Sequence, residues 1–417
     1  MMISHGVDVA VIGSGPAGLA AAISVKEAGA ENVTIFERAE QPGGLLHQCI
    51  HNGFGLIYFN EDLTGPEYAR RFIEKAMDLK VNIELETMVI DLSPDKRLVC
   101  SSKYGLRTLQ PKAVVLAMGC RERTRQQILI PGFNPSGFMT AGTAQRYVNC
   151  EGYIPGKEVV ILGSGDVGMI MARRLTLEGV KVKAMVEILP YTGGLIRNEV
   201  QCLGDFNIPV YLSHTVTNIH GQQRIEGVTI SRVDQDFEPI EGTDFRIDCD
   251  LLLTSVGLIP ENELSMKAGV KLDPITGGPI VNENMETSVS GIFAGGNVVH
   301  VNDMVDNVSL ESETSGARAA EYALRKTLPA LRRISLKAGE NIRYVVPQTI
   351  DAGKEVTIYM RVKEPAKEVR LQFGDISSKP FRAVKPSEMV SMKLTPEQLQ
   401  SVREGVGEVK VSCVKRR

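Results

Sequence analysis

Residues 9–46 read VAVIGSGPAGLAAAISVKEAGAENVTIFERAEQPGGLL, and residues 159–196 read VVILGSGDVGMIMARRLTLEGVKVKAMVEILPYTGGLI. The two segments align without a gap at an offset of 150. Gly13, Gly15 and Gly18 fall on Gly163, Gly165 and Gly168; Glu37 falls on Glu187; the pair Gly43-Gly44 falls on Gly193-Gly194. A period that long is too large for a solenoid repeat, so the chain holds two copies of a domain-sized unit.

Each copy has the parts of a dinucleotide site. An apolar run (7–12 and 159–162) has the unbroken hydrophobicity of a strand in a parallel sheet covered on both faces. A Gly-x-Gly-x-x-Gly turn follows at once. Its first glycine permits the tight turn, its second lets the backbone approach a pyrophosphate, and its third lets the helix pack on the strand. The helix opening there begins around Ala17 in one copy and Asp166-Val167 in the other. It presents unpaired N–H groups and a positive dipole end to an anion. Pro16 suits a first turn whose N–H has no partner anyway. A second strand ends in an acid 19 residues after the third glycine, placed to accept hydrogen bonds from both hydroxyls of a ribose. One such glycine turn can serve packing alone; two in register, each with its strand, helix and distant acid, point to two dinucleotides.

Composition narrows the class. The chain has 417 residues with 47 basic and 50 acidic side chains, a formal charge of -3. That balance gives no polyanion-seeking field, and the basic run 415–417 reads as a solvated tail, so no nucleic-acid partner is expected. With 43% hydrophobic and 23% charged residues the chain is globular rather than disordered. No stretch approaches the roughly 18 apolar residues of a membrane span. Residues 1–8 lack the basic flank and apolar centre of a signal peptide. Seven cysteines, an odd number scattered singly, do not form a disulfide framework. A cytoplasmic protein is the expectation, with a homo-oligomer left open.

The sequence resembles the two-dinucleotide-binding-domain flavoprotein reductases, the pyridine nucleotide-disulfide reductase group that includes glutathione and thioredoxin reductases. Three further segments carry the resemblance: AVVLAMG at 113–119, LLLTSVG at 251–257 and TSVSGIFAGGN at 287–297. In that family the first repeat binds FAD, and the second, inserted in the first, binds a nicotinamide nucleotide. The resemblance therefore implies an α/β fold of two Rossmann-like domains. An FAD domain would span 1–150 and 258–327, and an NAD(H) domain 151–257. FAD is expected on Gly13, Ser14, Gly15, Ala17, Gly18, Glu37, Arg38, Gly44, Leu45, Val89, Ala117, Gly119, Gly296 and Asn297. NAD is expected on Gly163, Gly165, Asp166, Val167, Gly168, Glu187 and Gly257. Asn297 stands where the family usually has Asp, which keeps the hydrogen bonding and removes the charge. Glu187 favours NAD(H) over NADP(H), because a carboxylate repels a 2'-phosphate and no arginine follows before Arg197.

Dithiol chemistry needs two cysteines a few residues apart. Cys49, Cys100, Cys120, Cys150, Cys202, Cys249 and Cys413 offer no such pair. Cys49, five residues after Gly44, and Cys120, directly after Gly119, keep a single-thiol reaction open, with Cys49 the candidate catalytic residue of a peroxide or disulfide reductase. A buried small hydrophobe is the plainer role of such a cysteine. His47 and His51 would share a helical face, but no third ligand stands at ligand spacing, so no metal is expected. The segments 43–66 and 296–324 resemble the FAD-dependent oxidoreductases that accompany anaerobic-type glycerol-3-phosphate dehydrogenases, and more distantly the FAD/NAD subunits of amine and opine dehydrogenase complexes. That resemblance implies electron transfer between NAD(H) and a partner redox protein. A flavin-containing docking or sensor protein that NADH does not turn over is the non-enzyme alternative.

Beyond a linker at 327–333 the pattern changes. Short alternating runs at 342–346, 356–362, 369–373, 390–394 and 409–413 predict strands, with one capped helical turn at 394–399. Residues 334–417 thus read as a small antiparallel β-sandwich-like domain.

Overall fold

A computed structural model describes residues 3–4, 6–325, 333–351, 353–402 and 407–416; most of the expected linker at 327–333 lies outside the described residues. The strand Val9–Ile12 is buried along its whole length, as are Val33–Phe36, Ala113–Leu116 and Ile292–Ala294. With Asn82–Glu84 they form one sheet in the order 292–294, 113–116, 9–12, 33–36, 82–84. Its ladders are parallel, with Ile12 opposite both Phe36 and Leu116, and Leu116 opposite Ala294. Helices cover one face of this sheet, and the 88–109 strands with part of the C-terminal module cover the other, so its four buried strands read as hydrophobic runs; the edge strand Asn82–Glu84 is exposed to half-buried and does not. The helix Pro16–Glu27 is buried from Ala17 to Val25. Against it lies Val305–Arg325, where a Cβ at Gly316 would fall 2.1 Å from the Ala21 carbonyl oxygen. Two helices meet that closely only where one of them lacks a side chain.

The chain divides into two compact units, Met1–Cys120 with Pro260–Arg417, and Arg121–Ile259. Within the second unit the strands Phe138–Thr140, Leu251–Thr254, Glu158–Leu162, Lys181–Glu187 and Val210–Leu212 lie side by side in that order, all parallel. This reproduces the first sheet, except that its outer strand is supplied by the start of the segment instead of by its return. The second unit accordingly begins at residue 121, earlier than the expected 151, because Phe138–Thr140 and the helix Ala141–Asn149 are part of it. Both units carry an antiparallel three-strand meander before the crossing strand: 88–92, 98–102 and 105–109 in one, 214–220, 227–232 and 245–247 in the other.

The C-terminal residues form a sandwich of a five-stranded and a three-stranded sheet around their own apolar core, which includes Ile358, Leu371, Phe373, Leu394 and Val411. All five expected strands are present, and the helical turn Pro396–Gln400 is closed by a Thr395 capping box. Three further strands, Arg333–Ala338, Thr349–Asp351 and Ser377–Val384, join them. One ladder, Arg333–Ala338 with Glu408–Lys415, is parallel, so the sandwich is mixed and not purely antiparallel. This module packs within the first unit: Tyr344 and Val346 share a core with Ile12, Phe36, Leu116 and Ile292.

Candidate functional site

The first glycine turn is built by close approach. Gly13 has φ of +100°, and a Cβ there would sit 2.6 Å from the Ala117 oxygen. At Gly18 a Cβ would fall 1.8 Å from the Gly13 oxygen, so the helix rests directly on the turn. Gly15 differs: a Cβ there meets nothing within 4 Å. Gly15 also caps the helix Pro16–Glu27, and no side chain covers that helix end. An open position in front of an uncapped helix N-terminus fits a pyrophosphate. The other expected FAD residues gather here. Gly44 lies over Gly15, with 2.9 Å from its notional Cβ to the Gly15 Cα, and Gly296 lies at the same distance from the Ala17 Cβ. The Asn297 Nδ2 donates to the Cys120 Sγ at 3.6 Å, next to Gly119. Arg38, Gly44 and Leu45 are exposed beside this cradle. Val89 is not brought in by its side chain, which is buried in the core with Phe36.

Glu37 is more constrained than a simple ribose acceptor. Its Oε2 accepts from the Ser14 N–H (2.8 Å) and the Ser14 hydroxyl (2.6 Å), and its Oε1 from the Ala39 N–H (2.8 Å). A carboxylate has about four acceptor positions, so one is left for a ribose hydroxyl and not two.

The second turn repeats this arrangement residue for residue. Glu187 accepts from the Ser164 N–H (2.8 Å) and hydroxyl (2.5 Å) on one oxygen and from the Leu189 N–H (2.9 Å) on the other. Gly163 has φ of +90° and would carry its Cβ 2.3 Å from the Ser255 oxygen. The Ser164 hydroxyl also accepts from the Gly193 N–H at 2.7 Å, which ties the glycine pair of this copy to its turn. Gly165 caps the helix Asp166–Leu177, but here, unlike at Gly15, a side chain covers the helix end: the Ser255 hydroxyl accepts from the Gly168 N–H at 3.1 Å and would lie 3.0 Å from a Cβ at Gly165; Val167 in the first turn is half-buried. The Asp166 Oδ1 accepts from the Leu195 N–H (2.8 Å) and the Asn198 Nδ2 (2.6 Å). Its task in the structure is to hold the segment 194–198. Gly257 is exposed, and the exposed Arg197 lies on that same held segment. Ser164 and Ser255 escaped the sequence reading, although the offset that maps Glu37 onto Glu187 also maps Ser14 onto Ser164.

The helical face that His47 and His51 would share does not form: the helix Gly44–Gln48 is a 3-10 turn that stops before His51. The His47 Nε2 approaches the Pro42 oxygen at 2.5 Å, and the His51 Nδ1 the Asn52 oxygen at 2.9 Å. Cys49 ends that turn, its thiol donating to the Leu45 carbonyl at 3.4 Å. Cys100, Cys202 and Cys249 are buried in apolar surroundings, which pushes their thiols up to about 11, 11 and 12; such thiols are inert near neutrality. Asp306 was also missed. Fully buried in the first turn of Val305–Arg325, it accepts from the N–H groups of Gly55 (3.2 Å), Ile57 (3.2 Å) and Tyr58 (2.8 Å).

Two clamped glycine turns on two parallel sheets, one interrupted by the other, define a two-Rossmann-domain flavoprotein. Residues 7–323 match the pyridine nucleotide-disulphide oxidoreductase family, and the chain belongs to it. It is 29% identical over 323 residues to a thioredoxin reductase of Ureaplasma parvum, which covers 76% of this chain and 97% of the relative. It is 25% identical over 349 residues to one of the subunits of opine oxidase from Agrobacterium tumefaciens, across 79% of this chain and 66% of that protein. The solved thioredoxin reductase of T. acidophilum has the same fold, with a TM-score of 0.63 and 24% identity over 76% of this chain and 98% of its own. The protein is thus an FAD- and pyridine nucleotide-dependent oxidoreductase. Among the described residues no helix is long and apolar enough to cross a membrane.

Proposed function

We propose that this oxidoreductase exchanges a hydride with NAD(H), in preference to NADP(H), and passes the electrons to or from a partner redox protein. When bound, the nicotinamide and the flavin supply the hydride chemistry themselves. The chain contributes two cradles and the clamps that hold them. Glu187 carries the coenzyme preference. Three protein donors fix its carboxylate beside the second glycine turn. A rigid negative charge at the ribose end disfavours a 2'-phosphate. Mixing the FAD-loaded chain with each coenzyme tests this: NADH should bleach the flavin absorbance near about 450 nm faster than NADPH. Faster bleaching by NADPH refutes the preference. No bleaching by either coenzyme leaves the docking or sensor reading in its place.

The partner reading is supported by the absence of any closely spaced cysteine pair in the sequence, which leaves the electrons without the usual dithiol exit. A glycerol-3-phosphate dehydrogenase as that partner rests on the resemblance of 43–66 and 296–324 alone. Co-purification of the native complex, followed by flavin reoxidation assays with the captured protein, tests it. The single-thiol reading has its support at Cys120, whose sulfur lies 3.6 Å from the Asn297 amide, rather than at Cys49. Cys49→Ser and Cys120→Ser variants that keep full peroxide and disulfide turnover would end that reading.

A further inference from the structure

The loop that leaves Asn297 is held at its far end by the C-terminal domain. Arg361 donates with all five of its N–H groups. Nη2 reaches the Val301 oxygen (3.0 Å) and the Asp303 carboxylate, Nη1 the Pro386 (3.1 Å) and Ser387 (2.7 Å) oxygens, and Nε the Tyr344 hydroxyl (3.2 Å). The second oxygen of Asp303 accepts from the Met389 N–H at 2.6 Å. Both side chains of this ion pair are largely buried, at 13% and 12% exposure. At the near end the Asn302 N–H donates to the Asn297 Oδ1 at 2.9 Å, and the Asn302 Nδ2 donates to the His300 oxygen (3.2 Å) and to Glu311 (3.4 Å). His300 and Glu311, their nearest atoms 3.3 Å apart and almost fully buried, fill the space beneath the loop. The His300 ring lies 5.9 Å from the rings of both Tyr344 and Tyr359 of the C-terminal domain.

We propose that the C-terminal domain acts on the flavin site through this loop, with Arg361 as a positioning residue. Pinning Val301 and Asp303 fixes Asn302, and Asn302 fixes the side-chain amide of Asn297. A fully used guanidinium fork holds one geometry, which a point charge does not. The proposal rests on the assignment of Asn297 to FAD. Arg361 is not what keeps the domain attached. Val281 and Gln348 exchange backbone hydrogen bonding and a side-chain contact on another face, and Tyr344 and Val346 sit in the core shared with the first sheet.

The test uses the full-length chain stripped of FAD, titrated with FAD by flavin fluorescence, with the Tm of the apo and loaded forms recorded in parallel. Arg361→Met should raise the FAD dissociation constant about tenfold, in the lower part of the range for coupling between sites. Arg361→Lys should recover only part of that loss. Asn297→Ala should weaken FAD similarly, and the double variant Asn297→Ala with Arg361→Met should be no weaker than the worse single one, since both act on one contact. If Asn297→Ala weakens FAD while Arg361→Met leaves it within about twofold and only lowers both Tm values, the clamp is structural and the proposal fails. Additive effects in the double variant overturn it as well. A full-affinity Asn297→Ala variant overturns instead the site assignment beneath it. Should Arg361→Met not yield soluble chain, Asp303→Asn, which keeps the shape and weakens the fork, is read by the same criteria.

Discussion

The hydroxyls of Ser14 and Ser164 perform one task in two places: each orients a buried acid whose other oxygen is held by a backbone N–H two residues on. Removing a hydrogen bond to a buried carboxylate costs about 2 kcal/mol. Ser14→Ala should therefore weaken FAD binding with NADH affinity intact, and Ser164→Ala should do the reverse, as read by separate titrations. The glycines divide in a different way. Gly15 has an ordinary φ of -66° with open space before it, so Gly15→Ala should leave apo-chain stability within about 0.5 kcal/mol and still abolish FAD binding. Gly18→Ala drives a methyl into the Gly13 carbonyl and should cost about 3 kcal/mol of stability even without cofactor, measured by urea unfolding. Sequence reading found the glycines and the acids because their spacing is local and repeated. It did not reveal that the Asp166 carboxylate also accepts from the distant Leu195 N–H and Asn198 side-chain amide. Contacts of that range leave no periodicity to read.

At the scale of elements, the helix Val305–Arg325 joins parts of the chain far apart in sequence. Its Asp306 is the acceptor for three N–H groups of the 55–58 turn, and Tyr68 reaches its Ser309 at 2.8 Å. Asp306→Asn would set an amide N–H against one of those donors, at a cost of about 2 kcal/mol. Urea unfolding should show this, and limited proteolysis should open the chain near residue 55. The helix Gly65–Asp78 is better insulated: Thr64→Ala removes one half of its capping box and should cost about 1 kcal/mol. Strands buried on both faces were legible as apolar runs. Ser377–Val384 was not, because all but its last residue are exposed or half-buried and no alternation survives on an outer strand. The shared face of His47 and His51, which required an α-helix, does not form, for a related reason. Spacing alone does not separate a 3-10 turn from an α-helix, and the difference decides which side chains share a face.

Taken whole, the molecule carries several buried thiols whose protons folding protects. Cys249, normally near 9.0, is pushed up to about 12 by burial, and Cys100 and Cys202 to about 11. The unfolded chain releases these protons first as pH rises, so their contribution to stability is complete below pH 9 and lost on the way to their folded values. Stability should fall above pH 9, and Cys249→Ala should flatten that fall by about 1.4 kcal/mol per pH unit between 9 and 12. An unchanged slope in urea midpoints across that range would show that Cys249 is not protected. The second unit, Arg121–Ile259, is continuous in sequence and has two apolar clusters of its own. Expressed alone it should unfold cooperatively and bind NADH, as judged by nicotinamide fluorescence. Two copies of a unit and a β module were readable from one offset and a change of periodicity, while the insertion of one copy in the other was implied by the family resemblance. The joint between the β module and the flavin loop was not, since Arg361 and Asp303 are ordinary charges in sequence and become a pair only through the fold.

The position of the strand Ile292–Ala294, beside Ala113–Leu116 and beyond the whole inserted unit, has a consequence for how the chain is made. Ribosomes deliver roughly 5–20 residues per second. The inserted unit is complete once residue 259 has emerged, while the flavin sheet still waits for its outer strand and the helix behind it. The inserted unit should therefore mature first, and the first unit should close only after Ile292–Ala294 and the helix Val305–Arg325 have followed. Capture of the flavin proposed for the first unit should in this sense follow the folding of the inserted unit, and a nascent chain truncated near residue 290 should release a folded inserted unit bearing an unfinished companion.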